Sequence, residues 1–107
     1  MSTTVLTEST FDELVGSADV PVVVDFWATW CGPCVPMAEA LDQVAAEQGD
    51  RLVTAKVDVD AEQALALRYG VQSMPTLLVF VDGQPVDRFV GARGVARLRE
   101  DLAPHLA

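Results

Sequence analysis

Residues 20–34 read VPVVVDFWATWCGPC. Apolar residues run from Val20 to Val24, broken only by Pro21, which is the pattern of a strand buried on both faces. Asp25 then interrupts the run, directly before Phe26 and Trp27. A carboxylate carried into a core without a partner is costly, so its presence calls for a purpose. Further on stand Cys31 and Cys34, the only two cysteines of the chain. From Cys34 onward Met37, Ala38, Leu41, Val44 and Ala45 recur at helical spacing as far as Gly49. A buried strand that delivers a cysteine pair to the start of a helix puts that pair where α/β sheets carry their chemistry, at the carboxyl end of a strand.

Working outward, Val5 and Leu6 suggest a short first strand, and STFDELV a helix with Ser9 or Thr10 as its N-cap. Val22 to Trp27 form the second strand. RLVTAKVDVD, residues 51–60, gives a third strand, and AEQALALRYG a short helix closed by Gly70. TLLVFV and QPVDRFV flank Asp82-Gly83, a strong hairpin signal. Val95, Leu98, Leu102 and Leu106 fall on one face of a last helix. The order β-α-β-α-β-α-β-β-α predicts parallel strands with right-handed crossovers, then an antiparallel hairpin. The fold class expected is α/β: a three-layer α/β/α sandwich with a central mixed five-stranded sheet and four helices.

At 107 residues the chain is expected to be one domain, 1–107, able to bury a core without disulfide staples. Seven basic against sixteen acidic residues give a net charge of −9, and the basic residues are scattered. That balance argues against nucleic acid or an anionic membrane as partner. The N-terminal MSTTVLTEST lacks an apolar h-region, and no apolar run approaches membrane-spanning length. The expected compartment is a reducing cytoplasm, where a close cysteine pair is catalytic or metal-binding sooner than structural.

The chemistry follows from placement. The thiolate is the attacking species, and a helix N-terminus favours negative charge. In WCGPC, Cys31 is expected at the helix mouth as the exposed nucleophile, and Cys34 one turn inside as the sheltered resolving thiol. Pro33 suits the first helical turn, where its missing N–H matters least. Half a zinc site is the competing possibility, but zinc wants four ligands and His105, near the C-terminus, is the only other soft one. His105 itself is expected to be solvated in the last helical turn. A purely structural disulfide closing so small a loop would remove little unfolded-state entropy. Redox activity is the expectation, with no metal and no cofactor.

FDELV, VDFWATWCGPC, AKVDVD, YGVQSMPTLLVF, DGQPV and FVGA, running almost the whole length of the chain, resemble the thioredoxin family. The resemblance implies a small dithiol–disulfide oxidoreductase that reduces diverse disulfide-containing proteins and is recharged by an NADPH-dependent thioredoxin reductase. It implies that Cys31 attacks and Cys34 resolves. Asp25 matches the family's buried aspartate beneath the resolving cysteine, which exchanges that thiol's proton, and Lys56 matches the lysine beside it. Burial raises a carboxyl pKa toward the range in which it can trade protons with a thiol. The resemblance further implies a cis Met74-Pro75 bond, with the Met74 backbone pairing with a substrate chain as an added strand. Trp30, Gly32, Pro33, Met74, Pro75, Gly91 and Ala92 would surround Cys31 as an apolar apron, with Trp27 rather than Trp30 in the core. Gly91 is expected to allow close backbone approach.

The chain departs from the family pattern at Glu39, where many members carry a helix-kinking proline, and has Pro36 instead. The helix is therefore expected to be straighter beyond Leu41 or bent earlier. An oxidase or isomerase of the same fold would usually carry histidine between the cysteines, where this chain has Gly32-Pro33. A role as a non-enzymatic subunit is a third possibility, because fold alone does not fix function. A monomer is expected.

Overall fold

The sheet is built outward from β2 (Val22–Trp27), whose residues are buried from Val22 to Phe26. The computed structural model describes residues 3–106. Around β2 stand β1 (Thr4–Val5), β3 (Val53–Asp58), β4 (Thr76–Val81) and β5 (Gln84–Val90), in the order β1-β3-β2-β4-β5. The β1–β3 and β3–β2 pairs are parallel, and β2–β4 and β4–β5 are antiparallel. The helices are α1 (Phe11–Ser17), α2 (Cys34–Gln48), α3 (Gln63–Arg68) and α4 (Val95–Leu102). This is the mixed five-stranded sheet with four helices that the sequence predicts.

Strand alternation explains why β2 is apolar throughout. Val22, Val24 and Phe26 enter one core with Phe11 and Val15 of α1 and Leu65 of α3. Val23 enters the other, with Met37, Leu41 and Val44 of α2 and Leu98 and Leu102 of α4. Each face of the central strand meets a helical layer, so both need apolar side chains. By the same period of two, Asp25 shares the α2 face with Val23. The Asp82-Gly83 turn has φ of 53° and 80°, the two positive values that a tight two-residue hairpin requires.

Several boundaries differ from expectation. β1 pairs through Thr4 and Val5, while Leu6 is 1% exposed and belongs to the core. β3 occupies only Val53–Asp58 of the predicted stretch. Thr10 takes the α1 cap position but makes no side-chain cap bond. Its hydroxyl instead accepts from the Thr7 N–H at 3.0 Å, a local turn competing with the helix for the same oxygen. α4 stops at Leu102 and gives way to a 3-10 turn, Ala103–His105, with Pro104 inside it. His105 is not a solvated end residue: its Nε2 lies 2.9 Å from Asp87 Oδ2 on β5. α2 continues unbroken through Glu39. Pro36 is only its third residue, where no intrahelical N–H bond is lost.

Candidate active site

The cysteine loop is a short run of turns. Cys31 N donates to Ala28 O (3.1 Å), Cys34 N to Cys31 O (3.2 Å) and Val35 N to Gly32 O (3.3 Å). Cys31 and Cys34 form a disulfide with their Cα atoms 5.5 Å apart. Cys34 is the first residue of α2, with Pro33 at the cap, so it lies at the helix mouth rather than one turn inside as the sequence suggested. The predicted contrast in exposure is also smaller than expected. Cys31 is 6% and Cys34 3% exposed, because the disulfide draws both sulfurs into the same apolar cluster. What separates them is their surroundings. Cys31 is flanked by the exposed Trp30, Gly32 and Pro33. Cys34 lines a cavity of about 200 Å³ whose wall also includes Asp25, Trp27, Ala38 and Lys56.

Asp25 is as buried as the apolar run implied, at 3% exposure. Its register partner on β3 is Lys56. No ion pair joins them among the described residues. The Lys56 ammonium instead stands 5.7 Å from the centroid of the Trp27 ring. Asp25 Oδ1 has no hydrogen-bond partner. Burial pushes its pKa from 3.8 to about 7, against the pull of Lys56 and with a smaller push from Asp42. A carboxyl in that range holds its proton part of the time near neutrality and can accept or return one. Asp25, Lys56 and Asp42 also line a second cavity, of about 250 Å³, beside Thr3, Ala38 and Leu41.

Three further segments bear on the site. The Met74–Pro75 bond is cis, as the resemblance implied. Met74 packs against the cluster that holds both cysteines, and its backbone makes no hydrogen bond to other backbone among the described residues. Gly91 N donates to Pro75 O at 2.9 Å, which ties the 91–92 turn to the proline segment. The glycine is required by its φ of 101°. A Cβ there would meet nothing within 4 Å, so close approach within the chain is not the reason. Trp30 is 66% exposed, and Trp27 is half-buried against the core. Trp30 Nε1 donates to Asp60 Oδ2 at 2.9 Å, anchoring the cysteine loop to the segment after β3.

Asp60, Arg93 and Asp101 were not found by sequence reasoning. Asp60 sits in the run VDVD just past a strand end, a weak signal. Arg93 and Asp101 belong to no local motif. Among the described residues no group of three or more His, Cys, Asp or Glu is placed to hold a metal ion, and no helix is long and apolar enough to cross a membrane.

A family model described as Thioredoxin matches residues 2–104. The thioredoxin of Mycolicibacterium smegmatis is 49% identical over 107 residues, covering 98% of this chain and 96% of that protein. A bifunctional thioredoxin reductase/thioredoxin of Mycobacterium leprae is 48% identical over 98 residues, 92% of this chain and 21% of that protein. The crystal structure of Malassezia sympodialis thioredoxin superposes with a TM-score of 0.88 at 36% identity, over 99% of this chain and 92% of that one.

Proposed function

Because the chain belongs to the thioredoxin family and is a disulfide-reducing oxidoreductase with Cys31 and Cys34 as its redox pair, we propose a division of labour among its site residues. In the reduced protein the Cys31 thiolate attacks one sulfur of a protein disulfide. A mixed disulfide forms, and the other substrate sulfur leaves as a thiolate that takes a proton. Cys34 gives its proton to Asp25 and attacks Cys31 Sγ, closing the internal disulfide and releasing the second substrate thiol. Two electrons have passed to the substrate. Asp25 then loses its proton through the cavity beside it, and Lys56 moderates how strongly it holds that proton.

One observation carries this reading: Cys34 and an unpartnered, buried Asp25 form walls of the same cavity, from which Cys31 is absent. Trp30, Gly32, Pro33, Met74, Pro75, Gly91 and Ala92 form the surface that receives the substrate chain. Met74 offers backbone groups that nothing else in the described chain uses. An NADPH-dependent thioredoxin reductase returns the two electrons. The fusion of the two activities in the Mycobacterium leprae relative's name supports that partner. In this reading the chain works as a single domain and a monomer, in the cytoplasm, on diverse disulfide-containing proteins.

Insulin precipitation on reduction, driven by NADPH and a thioredoxin reductase, tests the proposal. Turbidity that needs both cysteines is the expected result. A protein that stays reduced in mildly oxidising glutathione and fails to reduce insulin would point to an oxidase instead.

A further inference from the structure

Arg93 lies in the turn between β5 and α4 and is almost wholly removed from solvent, its side chain 12% exposed. Its Nη1 donates to the carbonyls of Val90 (2.9 Å) and Gly91 (3.1 Å). Its Nε stands 2.6 Å from Oδ2 of Asp101, on α4, whose side chain is 14% exposed. Both atoms are buried and neither has a hydrogen-bond partner, so the contact is a charge–charge ion pair and not a hydrogen bond. The guanidinium lies 5.4 Å from the centroid of the Phe89 ring, and Phe89 packs on the core between α2 and α4. Arg97 is the other cation near Asp101, at 3.9 Å and largely exposed.

The two carbonyls that Arg93 holds belong to the turn whose Gly91 N–H reaches Pro75 O. A peptide group is planar and trans, so its N–H points opposite to its carbonyl. With Gly91 O turned to Arg93, the Ala92 N–H is turned away from the guanidinium. Ala92 is exposed, and that N–H has no backbone acceptor among the described residues. An arginine can donate to two carbonyls while its delocalised charge faces a carboxylate, because the guanidinium is planar and rigid, which a lysine cannot reproduce. We infer that Arg93, anchored by Asp101, is a positioning residue for substrate docking: it fixes the Gly91–Ala92 peptide, and through Gly91 the proline segment, in the arrangement that receives the backbone of a protein substrate. The inference rests on the substrate surface proposed above, and Arg93 itself touches neither sulfur.

The test uses pre-reduced full-length protein, without reductase, mixed with insulin while tryptophan fluorescence is followed. Arg93→Met should raise the insulin concentration at half-maximal rate about 10-fold and leave the limiting rate alone, the signature of lost binding rather than lost chemistry. Asp101→Asn should shift it the same way by about 3-fold, since Arg93 keeps its carbonyls but loses its anchor. Arg93→Lys should fall between wild type and Arg93→Met. Reduction of 5,5′-dithiobis(2-nitrobenzoate), a small disulfide with no backbone to dock, should not change. The Gly91 amide should exchange with deuterium about 10-fold faster in Arg93→Met while Leu78 in β4 does not. An unchanged half-saturation, or equal losses with insulin and the small disulfide, would overturn the inference. If wild type failed to reduce insulin, the proposed activity would fall, and Gly91 exchange alone would still decide whether Arg93 holds the turn. Should Arg93→Met not fold, Arg93→Lys and Asp101→Asn give the same comparison.

Discussion

Two aspartates in this chain are withdrawn from water near a cation, and the cation meets them differently. Asp101, on α4, has the Arg93 guanidinium in contact at 2.6 Å. Asp25, on β2, has Lys56 in register across the ladder but forms no ion pair with it. The first arrangement compensates a charge where it stands, and gives rigidity to a turn. The second leaves a charge uncompensated, and burial lifts the pKa to about 7 instead. A buried carboxyl with a contacting cation is fastened, whereas one without an ion pair is free for the proton exchange proposed between Asp25 and Cys34.

That contrast can be broken by substitution, and the largest effect should come at the thiol that Asp25 serves. Cys34→Ser should cut turnover in insulin reduction by about 1000-fold or more and trap substrates on Cys31 as mixed disulfides, because groups that act as a unit fail as a unit. In that background Asp25→Ala should change the rate of mixed-disulfide formation no further. A further loss would mean that Asp25 acts on Cys31 as well.

Asp25→Ala in the oxidised protein, where no thiol titrates, comes next. The folded state holds the Asp25 proton between 3.8 and about 7, and the unfolded chain does not. Stability from this group therefore falls as pH rises across that window and levels off above it. At about 1.4 kcal/mol per pH unit the full penalty is about 4 kcal/mol. The alanine variant escapes it but leaves a small cavity, so the net gain should be about 2–3 kcal/mol at pH 8 and turn into a loss of about 1–2 kcal/mol near pH 4. Urea denaturation at both pH values reads the difference. A gain that did not grow with pH would show that Asp25 is ionised throughout.

Arg93→Met should have the opposite sign. It leaves Asp101 with only the exposed Arg97 at 3.9 Å, and should lower stability by about 2 kcal/mol at neutral pH, less than a fully buried pair would lose. The urea midpoint measures it.

The smallest effects sharpen the mechanism. Lys56→Met removes the pull on Asp25 and should move its pH window upward, while Asp42→Asn removes a push and should move it downward. Carboxyl-carbon NMR titration of Asp25 would show both. No shift in either variant would mean that burial alone sets the value.

The residues that the sequence exposed and those it hid differ in one respect. Cys31, Cys34 and Asp25 lie within ten residues, from one strand to the start of the helix it feeds, so period and spacing singled them out, and the resemblance related Asp25 to Cys34. Lys56 and the Met74–Pro75–Gly91 segment were assigned through resemblance, since strand pairing and a cis bond leave no periodic trace. The Asp82-Gly83 turn was legible because few residue pairs accept two positive φ values. The ends of β1 and α4 were not, because pairing partners and Pro104 set them.

Local pattern alone set the alternation of strands and helices, the two-faced burial of β2, and the delivery of a cysteine pair to the start of a helix. Those are properties of neighbours along the chain, fixed by side-chain period and local backbone preference. The tertiary structure alone decided that Asp25 and Cys34 share a cavity, that Lys56 turns to Trp27, that Asp60 holds Trp30, and that Arg93 reaches Asp101 and two carbonyls. Each of these is a distance between groups whose separation depends on how the sheet twists and the helices seat. A difference of an ångström or two there separates an ion pair from an unpaired carboxyl, and no local pattern encodes it.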